Sequence, residues 1–167
     1  MTAAAAPLAD DLRLLYQEII LDHGKSPRNF RVVEHHTCKA QGNNPMCGDR
    51  VTVTARVSPA GLVEDVAFEG KGCAISIASA SMMTETLSGQ PVEIARKLSA
   101  AVQDLCTGRL ETDQAKAAVG GALDDGVEKL AALSGVRQFP VRVKCATLPW
   151  HALMSCLDGK GQTTTEK

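Results

Sequence analysis

Between Val51 and Val57 the order Val, Thr, Val, Thr, Ala, Arg, Val alternates apolar and polar positions almost strictly. Alternation with a period of two is what a strand with one buried face requires. Ser58-Pro59-Ala60-Gly61 then turns the chain, and Val63, Val66 and Phe68 continue the strand-forming pattern to Glu69. The pair reads as an antiparallel hairpin. A third, shorter strand is expected around Arg31 to His36, ahead of a loop holding Gly42 and Pro45.

Helical spacing surrounds this hairpin. Leu8, Leu12, Leu15 and Ile19 recur at steps of four, three and four, and Gly24 and Pro27 end that run. Gly70-Lys71-Gly72 breaks the strand pattern just before Cys73, and from there to Leu87 the chain is rich in Ala, Ser and Met, giving a helix with a small-residue face. Pro91 stands at the first turn of another helix, which carries Ala95, Leu98, Val102 and Leu105 on one side. Thr107 to Val136 has only a short helical candidate at Val127 to Leu133 and resembles an insertion more than a core element. Val143, Ala146, Trp150, Leu153 and Leu157 mark a final helix, and Gly159 to Lys167 forms a polar, frayed tail. Strands early and helices late predict an α+β fold, a small antiparallel sheet of about three strands with helices packed on one face.

The 167 residues carry a formal charge of −1 and are 44% hydrophobic, which suits one globular domain and argues against disorder or a large nucleic-acid footprint. One Trp, one Tyr and three Phe leave no broad stacking platform for bases or sugars. The first residues, Met1 to Pro7, contain neither a basic run nor an extended apolar one, and no stretch is long enough to span a bilayer. A reducing cytoplasm is therefore the expected compartment, and there clustered cysteines are more often metal-binding or catalytic than disulfide-bonded.

Six cysteines stand at 38, 47, 73, 106, 145 and 156. Three of them fall at element ends: Cys47 in a Gly/Pro loop, Cys73 at a strand-to-helix junction, and Cys145 near the start of the last helix. Exposed N–H groups and the dipole of a helix N-terminus stabilise a thiolate at a position such as Cys73. Asp49 is separated from Cys47 by Gly48 alone, so one loop can offer a sulfur and a carboxylate oxygen to the same ion. Three Cys and one Asp suit tetrahedral Zn²⁺ or a corner of an iron–sulfur site. The spacing by itself matches no short zinc-finger pattern and leaves buried, inert cysteines as the competing reading.

The flanking residues narrow the choice. Asn44-Pro45-Met46-Cys47-Gly48-Asp49-Arg50, the junction Phe68 to Ser76 running into Ala78 to Glu85, the segment Phe139 to Leu148, and Leu15 to His23 with Pro27-Arg28-Asn29 together resemble the IscU/SufU family, the NifU N-terminal-like iron–sulfur assembly proteins. Four motifs in order, over roughly residues 12 to 157, carry the resemblance. It is nearer the SufU branch: the interval between the second and third motif cysteines is long, and Lys144 stands where scaffold members have a His. A protonated Lys is not a metal ligand.

The resemblance implies a single IscU/SufU-like domain over residues 1–158, with an insertion at about 107–136 and a flexible tail at 159–167. It further implies zinc on Cys47, Asp49, Cys73 and Cys145, and a sulfur-acceptor role toward a SufS-type cysteine desulfurase. In that scheme a His of the desulfurase displaces Cys47 from zinc, and Cys47 takes the persulfide sulfur. A SufBCD-type scaffold or apo-proteins would receive it, and no nucleic acid or membrane is involved. The alternatives are a scaffold on which iron or a nascent Fe–S cluster sits, and a zinc-stabilised module that only binds partners.

The remaining candidates have plainer readings. Cys38, Cys106 and Cys156 are expected to be packing residues or incidental thiols. His35 and His36 point to opposite faces of the expected strand and are assigned to the surface. His23 is read as a docking residue of the first helix or a partner contact, Met82 and Met83 as helix packing, and His151 as exposed or packed beside Trp150. Arg142 and Lys144 are placed to offset the charge of the cysteine site. Pro149 should either kink the last helix or begin it.

Overall fold

A computed structural model describes residues 5–164, with side chains from residue 13 onward. Helix α1 (Ala5–Lys25) is followed by strands β1 (Cys38–Asn44), β2 (Asp49–Val57) and β3 (Val63–Lys71). Helices α2 (Ala74–Leu87), α3 (Val92–Thr107), α4 (Thr112–Ala118) and α5 (Asp124–Leu130) come next. A 3₁₀ helix, Ala131–Gln138, leads into α6 (Pro140–Leu157), and a short β4 (Gln162–Thr164) closes the described chain. The fold is α+β with helices on one face of the sheet. Among the described residues, no helix is long and apolar enough to cross a membrane.

The sheet has the order β3-β2-β1-β4, with β1 and β3 antiparallel to β2 and β4 parallel to β1. The β2–β3 hairpin lies where its alternation places it, and Val51, Val53 and Ala55 are fully buried. The third strand is not at Arg31 to His36. His35 has a positive φ of 55°, and that segment crosses the sheet with the Val33 N–H donating to Thr54 Oγ1 at 2.9 Å. The strand is Cys38–Asn44 instead, so Gly42 belongs to a strand rather than to a loop. Its sequence lacks β-branched residues, but every residue pairs with β2, and Ala40, Gly42 and Asn44 face inward. At Gly42 a Cβ would stand 2.9 Å from Leu148 Cδ1 and 3.3 Å from Ala152 Cβ. Glycine is what allows α6 to lie directly on β1.

Three more expectations change. In α1, Leu15 is 49% exposed while Ile19 packs on the core; Leu8 and Leu12 lie outside the residues with described side chains. The 107–136 segment is not peripheral, because Ala115, Val119, Val127, Leu130, Leu133 and Val136 are buried in the main core cluster. Glycines and short helices hid its apolar spacing. The tail is not wholly frayed: Gln162–Thr164 pairs with Gln41–Asn43, while residues 165–167 lie outside the described chain.

Cys38 and Cys156 are joined in a disulfide between the start of β1 and the end of α6, contrary to their reading as separate packing residues. Cys106 is the one of that trio that remains a buried free thiol, and burial pushes its pKa up to about 12. Helix α6 runs through Pro149 without a break in its assignment. Pro149 has no N–H for the Cys145 carbonyl one turn earlier, so the turn below Cys145 is held by packing on β1 and α2 and not by that backbone bond.

Candidate metal and sulfur centre

Three elements meet at one end of the sheet. The β1–β2 connection, residues 45–48, is a tight turn closed by the Cys47 N–H to the Asn44 carbonyl at 3.2 Å. Gly48 takes φ +69°, a left-handed conformation that glycine adopts without Cβ strain. This turn carries Cys47 and delivers Asp49 to the first position of β2 opposite Asn44. Beside it β3 runs on through Gly70 and Lys71, which do not break the strand as their sequence suggested, and Gly72 leads into Cys73, the residue capping α2. From the third side α6 brings Cys145 within its second turn.

The distances follow from that arrangement. Cys47 and Cys145 have their sulfurs 3.3 Å apart. One ligand atom from each of Cys47, Asp49 and Cys145 lies within 4.8 Å of the other two. Cys73 adjoins this trio: its N–H donates to Asp49 Oδ1 at 2.9 Å, and its thiol acts on Cys145 through charge and hydrogen bonding. The Cys73 sulfur makes no capping bond to α2, and it lies outside the group drawn within 4.8 Å. Asp49 is 2% exposed and Cys145 fully buried, whereas Cys47 and Cys73 are half-buried.

Two residues that the sequence reading passed over shape this centre. Asn44 is fully buried, and its Nδ2 amide donates to Asp49 Oδ2 at 3.3 Å and to Cys145 Sγ at 3.5 Å. Gly72 lies so close to Asp49 that a Cβ would stand 2.5 Å from Oδ1. Asn44 lies within one of the quoted motifs, and Gly72 within another, but only the folded register shows what each touches.

Electrostatics sharpen the chemistry. Burial, then the hydrogen bonds that the Cys145 thiol donates to Asp49 and Cys47 and the charge of Cys73, drive that thiol far above its ordinary pKa. Crowded sulfurs with a carboxylate among them resist ionising together, and a divalent cation relieves that repulsion by taking several thiolates at once. Arg142 is held more firmly protonated, first by the charge of Cys73 and then by its hydrogen bond and charge interaction with Cys145. Of the two cations expected beside the site, Arg142 hydrogen-bonds Cys145. Three sulfurs and one carboxylate oxygen are the donor set that suits tetrahedral zinc.

The surrounding histidines do not join them. His23 is buried with Nδ1 2.7 Å from Ser81 Oγ, docking α1 on α2. His36 Nδ1 meets the Val33 carbonyl at 3.1 Å, and His35 and His36 are both exposed. His151 is half-buried on α6.

Residues 15–146 match the family model described as the NifU-like N terminal domain. The chain is 42% identical over 143 residues to the zinc-dependent sulfurtransferase SufU of Bacillus subtilis (strain 168), covering 86% of this chain and 89% of that one. It is 35% identical over 146 residues to the iron–sulfur cluster assembly scaffold protein IscU of Streptococcus pyogenes serotype M1, covering 87% and 84%. Among solved structures it resembles one from Fervidobacterium islandicum AW-1, provisionally described as an iron–sulfur cluster assembly scaffold protein for the SUF system. That likeness has a TM-score of 0.68 at 30% identity and spans 84% of this chain and 94% of the other. Matched across most of its length in both sequence and fold, the chain belongs to the NifU-like N-terminal domain family, in which IscU and SufU are found.

Proposed function

We propose that this protein accepts sulfur from a cysteine persulfide during iron–sulfur cluster assembly, and that Cys47 is the acceptor. The observation that carries the reading is the convergence of Cys47, Asp49 and Cys145 within 4.8 Å, with Cys73 adjoining. Cys47, Asp49, Cys73 and Cys145 are the residues that would hold zinc. Zinc bound there keeps thiolates deprotonated at neutral pH while occupying the lone pairs that make them nucleophiles.

Cys47 suits the acceptor role by position. It is half-buried on a four-residue turn, whereas Cys145 is sealed within α6 and Cys73 is fixed at the head of α2. Its thiolate attacks the outer sulfur of the partner's persulfide. A new S–S bond forms on Cys47, the old one breaks, and the electron pair leaves on the partner's cysteine thiolate. Arg142 beside the three sulfurs attracts the anionic persulfide. Exposed Met46, next to Cys47, and exposed Phe139 and Val141, just before Arg142, offer apolar contact to a protein partner. A SufS-type cysteine desulfurase in the cytoplasm is that partner, with a SufBCD-type scaffold or apo-proteins as recipients.

The likeness to proteins named as scaffolds supports a second reading, in which Cys47, Cys73 and Cys145 hold a nascent cluster. Metal content separates the two. Protein purified without added metal is expected to hold about one zinc per chain and to accelerate a SufS-type desulfurase. Cys47→Ala should abolish acceptance of persulfide sulfur while the fold is kept. A labile cluster with visible absorbance and no stimulation would favour the scaffold. Stable zinc with normal transfer by Cys47→Ala would remove Cys47 from the mechanism.

A further inference from the structure

Helix α6 and strand β1 touch at both ends and in the middle. At one end lies the Cys38–Cys156 disulfide, with Cα atoms 5.3 Å apart. In the middle Gly42 is pressed against Leu148 and Ala152. At the other end Asn44 Nδ2 meets Cys145 Sγ, and the next turn brings Cys47 Sγ to 3.3 Å from the same sulfur. The covalent link and the sulfur centre are therefore opposite ends of one two-element seam.

From this we propose that Cys38 and Cys156 form a redox modification site, a dithiol that exchanges with low-molecular-weight disulfides of the glutathione class, and that the link holds the Cys47 turn against Cys145. Three observations support it. The Cα separation lies within the range a disulfide spans without backbone movement. Cys38 is half-buried and so reachable by a small disulfide, while Cys156, at 1% exposure, is shielded until Cys38 has reacted. The link closes a sequence separation of 118 residues, enough to restrain the chain strongly.

The exchange balances in two steps. The Cys38 thiolate attacks one sulfur of the small disulfide, whose S–S bond breaks to release one thiol, leaving a mixed disulfide on Cys38. The Cys156 thiolate then attacks Cys38 Sγ and displaces the second thiol. Two protons from the cysteines end on the two released thiols, and the small disulfide is reduced as the protein dithiol is oxidised. Excess thiol drives the same steps backward.

The linked and unlinked forms should differ at Cys145. Without the link, the lower end of α6 is released from β1, and the turn above Pro149 has one backbone bond fewer, that to the Cys145 carbonyl, to resist opening.

The test compares wild-type protein equilibrated with oxidised glutathione, wild-type protein equilibrated with reduced glutathione, and a C38A/C156A variant, each freed of small thiols and of metal. Tryptic mapping is expected to join the peptide containing Cys38 to the peptide 145–160 in the oxidised sample, with fragmentation assigning the bond to Cys156 and not to Cys145 in the same peptide. Cys145 is expected to be alkylated roughly tenfold more slowly in the linked form than in the other two, and the linked form to melt about 6–12 °C higher. Alkylation of both Cys38 and Cys156 after oxidation, or equal Cys145 rates in the linked and reduced wild type, would overturn the proposal. The two wild-type samples decide the matter even where the double variant folds poorly, and none of the readouts depends on sulfur transfer.

Discussion

Asn44 and Cys145 stand 101 residues apart in sequence, yet the Asn44 amide donates to the Cys145 sulfur at 3.5 Å and, from the same nitrogen, to Asp49 Oδ2 at 3.3 Å. One buried amide thus fixes a sulfur and a carboxylate relative to each other. Groups that orient metal ligands typically contribute ten- to hundredfold to affinity. Asn44→Ala is expected to weaken zinc binding by about that factor, and to cost about 1–3 kcal/mol of stability through the acceptors it leaves unpaired. Asn44→Asp should weaken it further by adding a negative charge between two anionic ligands. Competition with a chromophoric chelator measures both.

Gly72 gives a steric test of Asp49. A Cβ at this position would crowd Asp49 Oδ1, a buried oxygen already engaged by the Cys73 N–H. Gly72→Ala is expected to displace the carboxylate, lower zinc occupancy and cost about 1–3 kcal/mol. Circular dichroism should remain native, and metal analysis of the purified variant is the deciding measurement.

His23 makes stability depend on pH. Burial, then the charge of Arg28, lowers its pKa below the ordinary 6.5, although Glu85 and Asp22 oppose the shift. The unfolded chain therefore takes up a proton near pH 6.5 that the folded chain refuses. The stabilisation is complete above pH 6.5, is lost as the pH falls toward the lowered folded value, and changes no further below it. Denaturant midpoints between pH 5 and 7.5 should show this slope, and His23→Gln should flatten it.

Ser79 couples the helix that carries Cys73 to the helix that carries Cys145. Its hydroxyl donates to the Ala146 carbonyl at 2.6 Å and accepts the Trp150 indole N–H at 3.0 Å. Ser79→Ala leaves a buried indole donor unpaired and should cost about 1–3 kcal/mol. Trp150 is the only tryptophan in the chain, so its fluorescence reports the change directly.

The elements legible in the sequence are those whose periodicity is enforced by burial. The β2–β3 alternation and the apolar spacing of α3 and α6 point to the surfaces they bury. Strand β1 escaped that logic because Cys-Lys-Ala-Gln-Gly-Asn-Asn carries little side-chain preference, its pairing being supplied by neighbours on both edges. The β-branched Val32 and Val33 gave the stronger local signal in a segment that does not form a strand. The candidate centre was legible through its flanking motifs and not its spacing, since 98 residues separate Cys47 from Cys145. Asn44 and the Cys38–Cys156 link were not legible, because each depends on the register of β1 against α6.

The placement of Cys145 on α6, the last helix among the described residues, bears on the order in which the proposed centre can assemble. Cys47, Asp49 and Cys73 are synthesised well before Cys145, and α6 must dock on β1 before Cys145 can meet Cys47 and Asp49. An ion that binds only the converged arrangement stabilises the finished fold and nothing earlier. On the proposed reading, loading is thereby tied to the docking of α6 on β1, so that a half-folded chain lacks the assembled centre as well as the stability.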